Sequence, residues 1–270
     1  MLMPLIRFIL RPVYPFYERY LEREVRSGEI PSHLAVILDG NRRFARKLGL
    51  NEVTIGHEIG AEKVRDFLLW CLDLDIKTLT LYAFSTENFY RPKREVERLM
   101  DLFERKLYEF AEDDIVHKNK VRIKAIGRLN MLPERVLKAV EAAEEATKNY
   151  DSYLLNVALA YGGRAEIIDA IKSIMMNVKA GKIDPKEITE SLISKHLYTS
   201  GLSFPEIIIR TSGEKRLSNF LIWQSANTYL CFIDVYWPEI RKIDLLRGIR
   251  TYQRRKKFFE RYSSVDFGSA

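Results

Sequence analysis

The sequence predicts one α/β domain on a largely parallel central sheet of about six strands with helices on both faces, and three observations predict it. Short runs rich in β-branched residues alternate with longer amphipathic stretches. The runs LAVIL, LLNVALA and EIII are almost continuously apolar, as strands covered on both sides must be. With 270 residues, 47% hydrophobic and 30% charged, and only 13 Gly and 9 Pro, the chain can bury one large core and lacks the composition of a disordered or fibrous protein.

The elements follow in order. Residues 1–30 are expected as an amphipathic N-terminal extension, 31–262 as the main domain and 263–270 as a tail. The opening MLMPLIRFILRPVYPFYERYLEREV mixes large apolar residues with Arg7, Arg11, Arg19 and Arg23, is broken by Pro4, Pro12 and Pro15, and has no small-residue cleavage site. It reads as a segment resting on a membrane or a partner, or as a helix packed on its own domain. Strands are expected over Leu34 to Leu38, Thr78 to Phe84, Val121 to Ile126, Leu154 to Ala160, Ile207 to Arg210 and Tyr229 to Val235. Between them, Gly60 to Leu74 places Val64, Phe67, Leu68 and Cys71 at spacings of three and four. Pro92 to Lys118 opens on proline at a first-turn position. Further helices are expected over Pro133 to Asn149, Arg164 to Val178, Pro185 to Leu197 and Ile243 to Tyr262.

Composition narrows the function. Cys71 and Cys231 sit in apolar surroundings and form neither a disulfide framework nor a CxxC pair, which points to a reducing, cytoplasmic location. No run approaches the roughly 20 apolar residues that span a bilayer. Between Arg241 and Arg261 there are nine basic and two acidic residues, so this segment alone accounts for the net charge of +7. The body of the chain is therefore no general polyanion surface, and a nucleic-acid partner is not expected. P-loop, GxGxxG, HExxH and GxSxG motifs are all missing.

In parallel α/β folds ligands bind beyond the carboxyl ends of the strands, so the residues after each strand are the candidates. The first strand runs into Asp39-Gly40-Asn41-Arg42-Arg43-Phe44. An acid, a glycine and paired arginines before a helix suit a diphosphate with its divalent metal, although Asp39 could equally be a helix cap. The second strand runs into Ser85-Thr86-Glu87-Asn88-Phe89-Tyr90-Arg91, where a capping loop competes with an anion site that Arg91 would serve. The fifth runs into Arg210-Thr211-Ser212-Gly213-Glu214-Lys215-Arg216-Leu217-Ser218, a second cation- and hydroxyl-rich loop. His57, after Gly56 at an expected helix start, reads either as structural or as a phosphate ligand. Two anion loops at neighbouring strand ends imply two phosphorylated ligands or one large one.

These motifs, His33 to Ala45, Gly56-His57, Tyr82 to Pro92, Arg210 to Phe220 and Tyr236-Trp237-Pro238, resemble those of cis-prenyltransferases. That family includes undecaprenyl diphosphate synthase and the catalytic subunit of dehydrodolichyl diphosphate synthase. The likeness spans about Pro31 to Gln253 and is nearest to archaeal and eukaryotic members. It implies a Mg²⁺-dependent transferase that adds isopentenyl diphosphate in cis to an allylic prenyl diphosphate, geranylgeranyl diphosphate by likeness to archaeal members, making a long-chain carrier lipid. By motif, Asp39 holds the metal and aids ionisation. Gly40, Asn41, Arg42, Arg43 and Phe44, with Arg91 and His57, take the allylic diphosphate. Asn88, with Ser85, Thr86, Glu87 and Phe89, lines the reacting centre, and Arg210, Arg216, Leu217 and Ser218 take isopentenyl diphosphate. An apolar tunnel between the Gly60 to Leu74 and Pro92 to Lys118 helices is expected to hold the growing chain.

Three departures from the bacterial pattern stand out: Tyr229 for a metal-binding Glu, Val53 for an Arg, and Lys257-Phe258-Phe259 for the RxG element that serves a partner's site. They resemble the catalytic subunit of two-component enzymes, so either a homodimer or a heteromer with a related subunit is implied. A non-catalytic scaffold that binds prenyl diphosphates is the competing reading, and the presence of Asp39 and Asn88 speaks against it. The basic C-terminal segment and apolar N-terminus together suggest peripheral contact with anionic lipid.

Overall fold

The structure, a computed structural model, describes residues 14–50 and 52–263, with side chains described as far as Lys256. In chain order the elements are α1 (Tyr14–Arg26), β1 (His33–Ile37), α2 (Asn41–Lys47), α3 (Val53–Asp73), β2 (Thr78–Tyr82), α4 (Lys93–Glu112), α5 (Asp114–Lys118), β3 (Val121–Ile126), α6 (Glu134–Thr147), β4 (Tyr153–Ala158), α7 (Gly163–Lys179), α8 (Glu190–His196), β5 (Ile207–Arg210), β6 (Tyr229–Phe232) and α9 (Lys242–Ser263). All six strands pair in parallel in the order β3-β4-β2-β1-β5-β6. The connections leave β1 toward β2 on one side and return to β5 on the other. A crevice therefore opens above the carboxyl ends of β1 and β5, and the Asp39 and Arg210 loops leave from those two ends.

The period-two alternation of each strand divides the core between two faces. Leu34, Val36, Leu79 and Leu81 join the larger cluster with Phe67, Met100 and Trp237. Ala35, Ile37, Tyr82 and Ile208 pack on the other side with Tyr161, Phe220 and Leu221.

The strands lie where the apolar runs predict, but four stop short, β1 by one residue at Ile37 instead of Leu38. β2, β4 and β6 end at Tyr82, Ala158 and Phe232 instead of Phe84, Ala160 and Val235, because the chain turns off into loops; Ala160 has already left the extended region at φ 46°. The helix expected from Gly60 begins seven residues earlier, at Val53, after the extended backbone of Glu52, and its added turns bury Gly56. The helix expected over Pro92 to Lys118 is two: Asp113 takes extended backbone and its carboxylate caps the Ile115 N–H at 2.7 Å, starting α5. Pro185 to Leu197 is likewise a short 3₁₀ turn followed by α8, whose start is capped by Thr189 on the Leu192 N–H.

Where it is described, the N-terminal extension packs on the domain. Leu21 and Val25 of α1 are fully buried, and Glu22 and Glu24 pair with Lys242, Arg250 and Arg254 of α9. Residues 1–13, the tail from 264 and the side chains of Lys257-Phe258-Phe259 lie outside the described residues.

His33, 1% exposed at the start of β1, ties that strand to β2 and to the loop that leads into β5. Its Nδ1 is 2.7 Å from the Ser203 carbonyl and its Nε2 2.7 Å from the Thr80 hydroxyl. A carbonyl only accepts, so Nδ1 carries the proton and Nε2 accepts from Thr80. Burial pushes the ring's pKa down to about 4. Between that value and the ~6.5 of an unfolded His, the unfolded chain binds more protons, so this contribution is complete above pH ~6.5 and is lost as pH falls toward 4. Unfolding free energy from urea titration is expected to drop from pH 7 to 4.5 by up to ~3 kcal/mol through this group. A His33→Gln variant, less stable at pH 7, should lose correspondingly less over that range; equal losses would reject the assignment.

Candidate active site

Gly40 makes the first loop possible. Its φ is 106°, and a Cβ there would sit 2.7 Å from the Tyr236 ring and 3.1 Å from Ser212. The turn starts α2 at Asn41 and leaves Asp39 facing the β5 loop. The Asp39 carboxylate accepts from Arg210 Nη2 at 2.7 Å and lies 3.5 Å from Arg43. Its backbone N–H donates to the Thr211 hydroxyl at 3.0 Å, and Trp237 N donates to its carbonyl at 3.0 Å. Burial alone would raise the acid's pKa, but Arg210 and then Arg43 outweigh it and hold Asp39 below the ordinary carboxylate value.

The β5 loop is wound tightly around Arg210. Nη1 donates to Ser218 Oγ at 2.7 Å and to the Arg216 carbonyl. Ser212, Ser218, Asn219 and Leu221 all adopt positive φ, a cost of order 1–3 kcal/mol each that the surrounding contacts must offset, and a pattern that gathers at functional loops. Arg43 reaches across to Ser212 Oγ at 2.5 Å and Glu214 at 3.1 Å, and Glu214 also holds Arg216. The two anion loops are thus stitched into one surface.

The β2 loop closes the third side. Ser85 N donates to Asn88 Oδ1 at 3.1 Å, fixing the Asn88 amide. Arg91 Nη1 pairs at 3.2 Å with Glu95, a 6% exposed carboxylate in the first turn of α4. Glu95 also lies 3.5 Å from Arg42 Nε and 3.5 Å from His57 Nε2. His57 stands in the second turn of α3, not at a helix N-terminus as expected, and reaches the site because α3 presses onto the Asp39 loop. Gly56 and Gly60 permit that approach: a Cβ at Gly56 would meet the Asn41 carbonyl at 2.1 Å, and one at Gly60 would meet Asn41 Oδ1 at 2.3 Å. Burial first, and Arg91 second, push the His57 pKa down to about 4, so the ring is neutral near pH 7.

These loops surround a cationic mouth. Asp39, Gly40, Asn41, Arg42, Arg43, His57, Ser85, Asn88, Arg91, Arg210, Arg216 and Ser218 all line it. Five other residues named from the sequence lie off its wall. Phe44 is buried on α2, Thr86 and Glu87 bond to each other while Glu87 accepts from Asn219, Phe89 stacks edge-on against Phe84, and Leu217 packs on the smaller core. Among the described residues seven buried side-chain polar atoms lack a partner, and four belong here: Asn41 Oδ1, Arg42 Nε, His57 Nε2 and Arg210 Nε. Three nitrogens with unmet hydrogen-bonding capacity in one mouth fit a multiply charged oxyanion.

The mouth shares Leu38, Asn41, His57, Ala83 and Leu99 with an apolar cavity between the sheet and helices α3 and α4, where the tunnel was expected. Its depths are lined by Leu107, Phe110, Ile123 and Leu155. The residues missed from the sequence are Glu95 and Trp237. Glu95 carried one signal, its position four after Arg91 in a helix opened by proline; Trp237, which donates to the Gly60 carbonyl at 2.7 Å, stood in the Tyr236-Trp237-Pro238 motif but was given no role.

For Mg²⁺ the residues offer one carboxylate, Asp39, held ionised; no group of three or more Asp, Glu, His or Cys that could hold an ion occurs among the described residues. That suits the mode in which Mg²⁺ takes one protein carboxylate and completes its shell with phosphate oxygens and water. Tyr229 pairs with Ile207, itself opposite Leu34, at the other end of the sheet strands, on the order of 15–20 Å from Asp39 by strand rise and spacing. Within one chain, then, position 229 is not beside Asp39.

Comparison with known proteins places the chain. The prenyltransferase family described as "Putative undecaprenyl diphosphate synthase" matches residues 37–260. A protein of Methanopyrus kandleri named tritrans,polycis-undecaprenyl-diphosphate synthase (geranylgeranyl-diphosphate specific) is 55% identical over 256 residues, 95% of this chain and 94% of that one. Its namesake from Methanocaldococcus jannaschii is 54% identical, covering 92% and 89%. The crystal structure of lavandulyl diphosphate synthase from Lavandula x intermedia in complex with dimethylallyl diphosphate superposes with a TM-score of 0.78 at 33% identity, over 83% of this chain and 95% of that one.

A Gly60→Ala substitution tests the close approach that builds the mouth. Alanine favours a helix by ~1 kcal/mol, yet here it should push α3 off Asn41 at a packing cost of ~1–3 kcal/mol. Inorganic pyrophosphate binding, followed by calorimetry, is expected to weaken about tenfold or more. Unchanged affinity would show that α3 does not set the mouth.

Proposed function

We propose, on the premise that this chain belongs to the undecaprenyl diphosphate synthase family of prenyltransferases, that it is a cis-polyprenyl diphosphate synthase that adds isopentenyl diphosphate units in cis to geranylgeranyl diphosphate. One observation carries the reading: a mouth built from two arginine-bearing loops at adjacent strand ends opens directly into an apolar cavity. A diphosphate suits the first and a prenyl chain the second.

In this reading Gly40, Asn41, Arg42 and Arg43, with Arg91 and His57, hold the allylic diphosphate while its hydrocarbon lies in the cavity. Arg210, Arg216 and Ser218 hold isopentenyl diphosphate beside it. The allylic C–O bond breaks with its electron pair going to diphosphate, the isopentenyl double bond closes the new C–C bond, and a proton leaves the isopentenyl unit near Asn88 and Ser85. The arginines stabilise the charge that develops on the leaving diphosphate, and the apolar wall keeps water from the cationic carbon. Phe44, Thr86, Glu87, Phe89 and Leu217 support these loops from behind. Mg²⁺ bound with the diphosphate supplies further neutralisation of the leaving group, and Asp39 is the residue that would hold it.

Assembly with a second copy or with a related subunit is part of the proposal. It is supported by an exposed apolar stripe on α7, where Ile168, Ile171 and Met175 are 48%, 46% and 64% exposed at helical spacing. Peripheral lipid contact is supported by the outer face of α1, where exposed Phe16 and Tyr20 alternate with Arg19 and Arg23. No helix among the described residues is long and apolar enough to cross a membrane.

Incorporation of radiolabelled isopentenyl diphosphate into butanol-extractable product, with geranylgeranyl diphosphate and Mg²⁺, tests the reading. The wild type is expected to give long products and Asp39→Ala on the order of 10²-fold less, by analogy with loss of a charge-stabilising group. Val64→Trp, which fills the cavity midway, should give shorter chains. No product from the wild type, either alone or co-expressed with a related subunit of its host, would reject the reading.

A further inference from the structure

Arg42, Arg91 and His57 reach the mouth from three separate elements: α2, the loop before α4, and α3. One carboxylate stands among them. Glu95 is 6% exposed, and the same oxygen, Oε1, lies 3.2 Å from Arg91 Nη1, 3.5 Å from Arg42 Nε and 3.5 Å from His57 Nε2. Only the contact to Arg91 is a hydrogen bond; Arg42 Nε and His57 Nε2 remain buried without a partner. Asp39, the carboxylate that lines the mouth, is taken by Arg210 and Arg43, and Glu214 by Arg43 and Arg216. Glu95 is itself fixed, because its backbone N–H donates to the Pro92 carbonyl at 2.8 Å in the first turn of a twenty-residue helix.

Two guanidinium groups and an imidazole drawn this close repel or exclude one another unless a negative charge lies between them. The carboxylate draws all three inward without satisfying two of them. We propose that Glu95 is the positioning residue of the allylic half of the site, aiming Arg42, Arg91 and His57 as one unit at a diphosphate that it does not itself touch. This deepens the reading above and rests on it.

The inference has a sign that bare electrostatics does not share. Removing a negative charge beside cations should tighten anion binding if charge were all that mattered; if Glu95 orients the cations, its loss should weaken it. Glu95→Gln keeps the shape and removes the charge. Its Kd for inorganic pyrophosphate, measured by calorimetry, is expected to rise about tenfold. The KM for geranylgeranyl diphosphate should rise with it, while that for isopentenyl diphosphate stays within about twofold. Glu95→Asp should recover part of the loss, and Arg42→Ala combined with Glu95→Gln should lose little more than the worse single variant, as residues acting as a unit do. The thermal midpoint guards against a merely structural role. Equal or tighter pyrophosphate binding by Glu95→Gln would overturn the proposal, as would equal rises in both KM values with a lowered thermal midpoint. If the wild type binds no pyrophosphate, the functional reading falls and this one with it; if wild type and variant bind alike, only this one falls.

Discussion

Asp39 and Arg210 are 171 residues apart in the chain and 2.7 Å apart in space, because β1 and β5 are neighbours with Ile37 opposite Arg210. Arg210 is almost wholly withdrawn from water, so its charge must be answered from within the protein. Asp39 answers it on one side, and Ser218 with the Arg216 carbonyl on the other. Breaking a buried pair of this kind by removing one partner typically costs about 3–5 kcal/mol, since the other charge is left stranded. The pairing therefore fixes two loops at once. The shape of the mouth follows from it: Gly40 turns away beneath Tyr236, Arg43 crosses to Ser212 and Glu214, and Trp237 is drawn down onto the Asp39 carbonyl.

Charge in the mouth is arranged in two tiers. Asp39 and Glu214 hold Arg210, Arg43 and Arg216 through direct contacts, which leaves these five side chains with one positive charge in excess. Glu95 alone faces Arg42, Arg91 and His57, and two of those three keep buried nitrogens without partners. Three of the mouth's four unmet polar atoms, Asn41 Oδ1, Arg42 Nε and His57 Nε2, thus fall on one side, and Asn41 and His57 also line the apolar cavity. That coincidence orients a substrate with a charged head and a long hydrocarbon tail, because only one direction satisfies both ends.

The cavity exists because two long helices cover one face of the sheet without closing on each other at its centre. Ala61 and Val64 of α3 and Leu102 and Phe103 of α4 face each other across it, while Leu81, Val157 and Leu155 form the floor. Across the outer edge of the two helices run ion pairs, Arg98 with Glu52, Arg105 with Glu58 and Lys106 with Glu62. Such exposed pairs contribute little stability individually, but together they hold the seam in register while leaving the interior apolar.

The sequence by itself determined the parallel sheet, through continuous apolar runs that only doubly covered strands can carry, and it determined which loops hold the chemistry, because acids, glycines and arginines cluster after strand ends in few other circumstances. Local rules were less able to place the helix boundaries: Asp113 ends α4 by capping α5, and α3 runs seven residues further back than its strongest period shows. Tertiary structure alone decided which loop residues meet. Asn88 and Ser85 line the mouth while Glu87 turns to Asn219 and Phe89 packs inward on Phe84, since a tight turn presents its side chains to different sides. It alone decided that Glu95, one carboxylate among many on an amphipathic helix, sits buried among two guanidinium groups and an imidazole. Sequence patterns report periodicity within an element; the meeting of α2, α3 and α4 around one oxygen depends on strand order and on two glycines that let helices approach, and no local period encodes either.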